Sequence, residues 1–148
     1  MKTLDNDTYF SLVLDLLARG KSVRLRIRGE SMTPFFPEGT VVTLYPCRPQ
    51  ELRRGIPVLA RTTRGDYVFH RILRCGDARL ILQGDGNLQG TETALPTRVF
   101  ARAECGTIHR TAALLWQTAR PVRRYLLALY RRARSLARFV RCGSSRGR

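Results

Sequence analysis

The sequence predicts an α+β fold, mainly β, and three observations point there. Its centre, from Ser22 to Ala103, breaks into short apolar and β-branched runs separated by turns rich in Gly and Asp. A helical period precedes that centre and another follows it. The 148 residues, 43% hydrophobic with 12 Gly and 7 Pro, suffice to build one core and are unlike a repetitive or disordered chain.

The elements follow in order. Asp5, Asn6 or Asp7 can cap a first helix, in which Tyr9, Phe10, Val13, Leu14, Leu16 and Leu17 recur near the helical period, and Gly20 stands where a terminating glycine belongs. One short helix is too little for a helix-turn-helix, which needs two. Ser22–Arg28 then alternates strictly, with Val23, Leu25 and Ile27 on one face and three arginines on the other, the pattern of a half-buried strand. Further strands are expected at Thr40–Tyr45, Ile56–Thr62, Tyr67–Leu73, Leu80–Gln83 and Val99–Ala103, with turns at Glu38-Gly39, Arg64-Gly65-Asp66, Gly76-Asp77 and Gly84-Asp85-Gly86-Asn87. From Thr111 to about Cys142 the period is helical, and Pro121 is well placed to open a new helix. The expected organisation is a β-rich unit over residues 1–108, a basic helical extension over 109–142 and a disordered tail over 143–148.

Charge is distributed unevenly. The whole chain carries 27 Lys+Arg against 11 Asp+Glu, for +16, while Cys105–Arg148 holds eleven arginines and no acid. A segment of that kind suits an anionic surface, lipid or nucleic acid. Within it Val122, Leu126, Leu129, Ala133, Leu136 and Val140 form one stripe, Arg123, Arg124, Arg131, Arg134, Arg138 and Arg141 fall on the other side, and Arg132 sits at the margin. Two readings stay open: the stripe docks on the β unit and the arginines are solvated, or the helix lies on an anionic membrane surface. Nucleic acid is the competing anion, but Tyr125, Tyr130 and Phe139 are too scattered for a stacking platform.

Several classes are excluded. Asp15 and the arginines flanking Tyr125–Tyr130 interrupt every apolar run long before membrane-spanning length. No basic segment leads into an apolar stretch at the N-terminus, so a cytosolic protein is expected, peripheral to the inner face of the membrane if the basic helix binds there. Cys47, Cys75, Cys105 and Cys142 are separated by 28, 30 and 37 residues, unlike zinc-ligand spacing, and read as reduced thiols. No metal or cofactor is implied.

The chemistry centres on Gly29-Glu30-Ser31-Met32-Thr33-Pro34, at the end of the first strand. A serine in a glycine-entered turn is exposed and held by its backbone, as a nucleophile must be. This block resembles the Gly-x-Ser-Met-x-Pro nucleophile motif of the superfamily of signal peptidases and LexA-type self-cleaving repressors. Asp66-Tyr67-Val68-Phe69-His70-Arg71-Ile72-Leu73 is similar to the His-Arg-Ile strand of the endoplasmic-reticulum-type signal peptidases, and Gln83-Gly84-Asp85-Gly86-Asn87 to their Gly-Asp-x-Asn turn. Order and spacing agree over roughly residues 10–108.

The resemblance implies an antiparallel twisted sheet or partial barrel of the LexA and signal-peptidase type, and a serine endopeptidase working through an acyl-enzyme on a peptide or protein precursor. Bacterial-type members use a lysine base after the serine, yet both lysines here, Lys2 and Lys21, precede Ser31. His70, 39 residues after Ser31, stands at the base's position, and a neutral imidazole can take the serine proton and return it to the leaving amine. Asp85 is the candidate to orient His70, with the alternative that Gly-Asp-Gly-Asn is simply a good hairpin turn. Where relatives carry a second acid the chain has Glu92, which the sequence places in a loop and leaves without a role. Gly29 and Met32 flank the nucleophile as substrate-binding or oxyanion positions, Gly29 by allowing close approach and Met32 chiefly by packing. Gly29 also stands where some relatives carry a hydroxyl donor. His109, expected at a strand end, reads as a surface histidine. The other class of function is a non-catalytic β scaffold that attaches to nucleic acid or membrane through its basic helix.

Overall fold

The computed structural model describes residues 6–143, with side chains throughout except at 6–7, 107–108, 120–121, 136 and 138–143. The fold is α+β and mainly β, an antiparallel sheet that closes into a small barrel, with three α-helices among the described residues. In order these are α1 (Asn6–Ala18), β1 (Val23–Arg26), β2 (Val41–Pro46), a 3-10 turn (Pro49–Glu51), β3 (Pro57–Thr62), β4 (Tyr67–Cys75), β5 (Leu80–Gln83), β6 (Glu92–Ala103), α2 (Thr107–Thr118) and α3 (Arg120–Gly143). The expected cap at Asp5, the role of Lys2 and the tail from residue 144 lie outside the described residues.

The first helix buries Val13 and Leu17, one turn apart, and stops as its sequence predicts. Gly20, at φ 75°, donates to the Leu17 carbonyl and Lys21 to that of Leu16, which satisfies two carbonyls the helix end would leave open. Val13 and Leu17 pack with Leu25, Ile27, Met32, Phe36, Leu44 and Leu59 in one apolar cluster. Phe10 stacks on Tyr67 with ring centroids 4.7 Å apart.

Strand order is β1-β2-β6-β3-β4-β5, and β5 also pairs with β6, so β3, β4, β5 and β6 form a closed loop of strands. A second cluster, Leu52, Val58, Ala60, Ile72, Leu80, Leu82, Ala94 and Val99, packs among these four strands. Closure depends on β6, whose first half pairs with β5 (Leu82↔Glu92, Leu80↔Ala94) and whose second half pairs with β2 and β3. The sequence predicts only Val99–Ala103 of this strand. Pro96 and the polar stretch before it mask the rest, because the strand shifts register against β3 there and side-chain alternation is lost.

After β6 the chain turns directly into α2, which begins at Thr107 rather than Thr111. Buried Ala113 and Gln117 lie one turn apart on α2. Of the two readings left open for the apolar stripe of α3, docking on the β unit does not match its orientation. Val122, Leu126 and Leu129 are 52%, 44% and 64% exposed, whereas Arg123 is 2% and Leu127 1% exposed. The inward face of α3 carries Leu127 together with Arg123, whose guanidinium bridges the carbonyls of the Gly84–Asn87 turn as a leucine cannot.

Candidate active site

Ser31 lies in the turn that follows β1, entered by Gly29 at φ 79°, a left-handed conformation that favours glycine. The other side of the site is Gly84-Asp85-Gly86-Asn87, immediately after β5. The two turns lie backbone on backbone: the Gly86 N–H donates to the Ser31 carbonyl at 2.8 Å. A Cβ at Gly84 would collide with the Ser31 carbonyl oxygen, and one at Gly86 with that of Glu30. Both glycines are therefore required by close approach, a reason beyond turn propensity. Thr33, fully buried, donates its hydroxyl to Glu30 Oε2 at 2.7 Å and braces the turn that carries Ser31.

Strand β4 runs beside these turns and presents adjacent residues to opposite faces. Arg71 shares its face with Phe69, and both pack against Phe36. Its guanidinium donates from Nε and Nη2 to the two carboxylate oxygens of Asp85, at 2.8 and 2.7 Å, and from Nη1 to the Gly55 carbonyl at 2.7 Å. Neither partner's side chain keeps any exposed surface. His70 is on the other face with Val68 and Ile72, and its Nδ1 lies 2.9 Å from Glu92 Oε2.

This arrangement redistributes the expected roles. Asp85, the candidate to orient His70, is bonded to Arg71 instead, because it falls on the opposite side of β4 from the imidazole. Glu92 takes the place beside His70. The sequence could not assign it because the residue looked like a loop; pairing of β6 with β5 brings it across the barrel. A carboxylate accepts, so Nδ1 carries the hydrogen, and Nε2 is left with a lone pair available to take a proton. Among the described residues no hydrogen bond joins the Ser31 hydroxyl to the His70 ring.

Met32 is 1% exposed within the first core cluster, so its side chain is packed in the core next to Ser31 in sequence rather than offered at the surface. Gly29 has no neighbour within 4 Å of where a Cβ would stand, leaving room for another chain to approach. Lys21 is exposed at the end of α1. Burial raises the thiol pKa values of Cys47 and Cys75, which keeps both protonated and weakly nucleophilic. Among the described residues no cluster of His, Cys, Asp and Glu could hold a metal ion.

The helices after β6 contribute directly to the site. Trp116 Nε1 donates to the Asp85 carbonyl at 2.8 Å, and Arg123 Nη2 bridges the carbonyls of Gly84, Asp85 and Asn87 at 3.2, 2.6 and 2.6 Å. Arg134 faces the Glu30 carboxylate at 3.4 Å. His109 is not a surface histidine at a strand end: it sits in the first turn of α2, its ring centroid 5.1 Å from that of Phe35 and 5.0 Å from that of Phe36. Desolvation and the nearby Arg71 charge lower its pKa from the usual 6.5. Arg123 was legible only as one arginine of the basic amphipathic segment, His109 only as an isolated histidine, and Trp116 not at all, since nothing local says which polar residue will meet a distant turn. An open groove of about 760 Å³, lined by residues such as Leu52, Arg53, Arg74 and Ile81, includes none of the residues of the site.

No family model matches the chain, and no curated protein matches it.

Proposed function

We propose that the chain is a serine endopeptidase of the signal-peptidase and LexA type, with Ser31 as nucleophile, His70 as general base and Glu92 as the residue that positions His70. The observation that carries this reading is the His70–Glu92 contact at 2.9 Å, in which Nδ1 donates to the carboxylate and Nε2 is the ring nitrogen not engaged by it. A carboxylate on Nδ1 fixes the orientation of the ring and stabilises the imidazolium that forms in mid-reaction. The closed antiparallel barrel and the two juxtaposed glycine-rich turns agree with the resemblance that the sequence motifs suggest.

The steps follow from these roles. Ser31 Oγ attacks the scissile carbonyl while His70 Nε2 takes its proton. The Ser31 N–H, which donates no hydrogen bond among the described residues, is the donor this reading assigns to the developing oxyanion. The C–N bond then breaks, His70 returns the proton to the departing amine, and an ester to Ser31 remains. Water, losing a proton to His70, attacks that ester and releases the carboxylic acid and the serine. Catalytic hydrogen bonds of this kind often form only in the complex with substrate.

The lack of a Ser31–His70 hydrogen bond equally suits a scaffold that binds peptide without cutting it. A serine-reactive acylating probe, read by mass spectrometry, separates the two. The peptidase reading expects one adduct, on Ser31, lost in Ser31→Ala and strongly reduced in His70→Ala. Absence of labelling, or labelling indifferent to His70→Ala, overturns it.

A further inference from the structure

We infer that the outward face of α3 is a docking surface for an anionic lipid bilayer. The inference does not rest on the peptidase reading. Helices dock on a globular unit by their apolar side, and α3 does the opposite. At about 100° per residue, Val122, Leu126 and Leu129 lie within roughly 60° of arc, and Arg123, Leu127 and Arg134 are centred roughly 110° away. The second group meets the β unit and the first is left exposed, with Tyr125 beside it 58% exposed and Leu115 of α2 65% exposed. This unpartnered stripe belongs to a segment of eleven arginines without an acid, Cys105–Arg148.

Charge decides which partner fits. A second copy would bring two acid-free arginine segments together with nothing on either to neutralise them. Nucleic acid would satisfy the arginines but has no use for leucines at helical spacing. An anionic bilayer takes both: leucine and valine enter the acyl boundary, and arginines such as Arg132, exposed at the margin of the stripe, meet the headgroups. No helix of the described residues is long and apolar enough to cross a membrane, so this contact is interfacial. The inward face of the same helix holds the Gly84–Asn87 turn, so docking sets the site beside the lipid surface.

The test is flotation of the full chain with phosphatidylglycerol-containing vesicles, with pure phosphatidylcholine vesicles, and separately binding to duplex DNA and RNA and light scattering for self-association. Binding to the anionic vesicles is expected, weakened at least tenfold in phosphatidylcholine and by added salt. The double variant Leu126→Glu/Leu129→Glu should weaken it roughly a hundredfold, the loss expected when two leucines leave the interface. Should that variant melt early, Tyr125→Trp in otherwise unaltered protein decides: its fluorescence should be quenched by brominated lipid beyond any quenching of Trp116. The inference is overturned by equal binding to both vesicle types, by binding the double variant retains while folded, by an unquenched tryptophan at 125, or by a dimer that buries the stripe. It is likewise overturned by nucleic-acid binding without lipid binding. Ser31→Ala protein should float like the original, so failure here leaves the peptidase reading standing.

Discussion

On one face of β4, Arg71 meets Asp85 with no side-chain surface left to solvent on either partner; on the other, His70 meets Glu92, whose side chain keeps 30% of its surface exposed. Both contacts join a basic group on one strand to a carboxylate near the end of another segment, and the basic residues are neighbours in sequence. Burial and the identity of the base separate their roles. A guanidinium stays protonated and, sealed from water against a bidentate carboxylate, can only hold two segments together. An imidazole can gain and lose a proton, and a partly open carboxylate beside it can stabilise the charge as it forms. One pair holds the turn that backs Ser31, and the other is the pair to which the proposed function assigns proton transfer.

The largest effect should come from the open pair. Glu92→Gln should lower turnover by up to about 10⁴-fold, through the wrong tautomer of His70, with little change in substrate binding. A loss within about threefold, measured by peptide hydrolysis, would place Glu92 outside the machinery. Asp85→Ala should act on the other axis. It strands a buried guanidinium, so a loss of about 3–5 kcal/mol of stability is expected, seen as a large drop in melting temperature. If instead the variant melts normally but has lost turnover, the assignment of the two acids is reversed.

Next in size is Arg123→Ala, which leaves the carbonyls of Gly84, Asp85 and Asn87 without their common donor. About 2 kcal/mol of stability should go, and turnover should fall about tenfold as the turn under Ser31 loosens. Unchanged turnover and melting would show that α3 does not act on the site. The smallest effect concerns His109. Its pKa is lowered in the fold by burial and Arg71, so below about 6.5 the unfolded chain binds a proton first and stability is lost as pH falls. His109→Phe keeps the ring contacts with Phe35 and Phe36 and should flatten that acid limb in thermal melts at pH 5 and 7.5. An identical slope in both proteins would assign the limb to other groups.

The α+β class, the first helix with its glycine stop and most strand positions were legible from local pattern, while attention to the blocks around Ser31, His70 and Asp85 came from a family resemblance. Alternation in Ser22–Arg28 and the turn signals are consequences of neighbouring residues, so the chain alone determines them. Residues distant in sequence were not legible in the same way. Glu92 reaches His70 only because β6 closes the barrel against β5, and Asp85 misses it only because consecutive residues of β4 face opposite sides. The stripe on α3 was visible in the sequence, but not which side would face inward. The inward side carries Arg123 to the carbonyls of a turn distant in sequence, and a contact of that kind exists only once the tertiary structure has assembled.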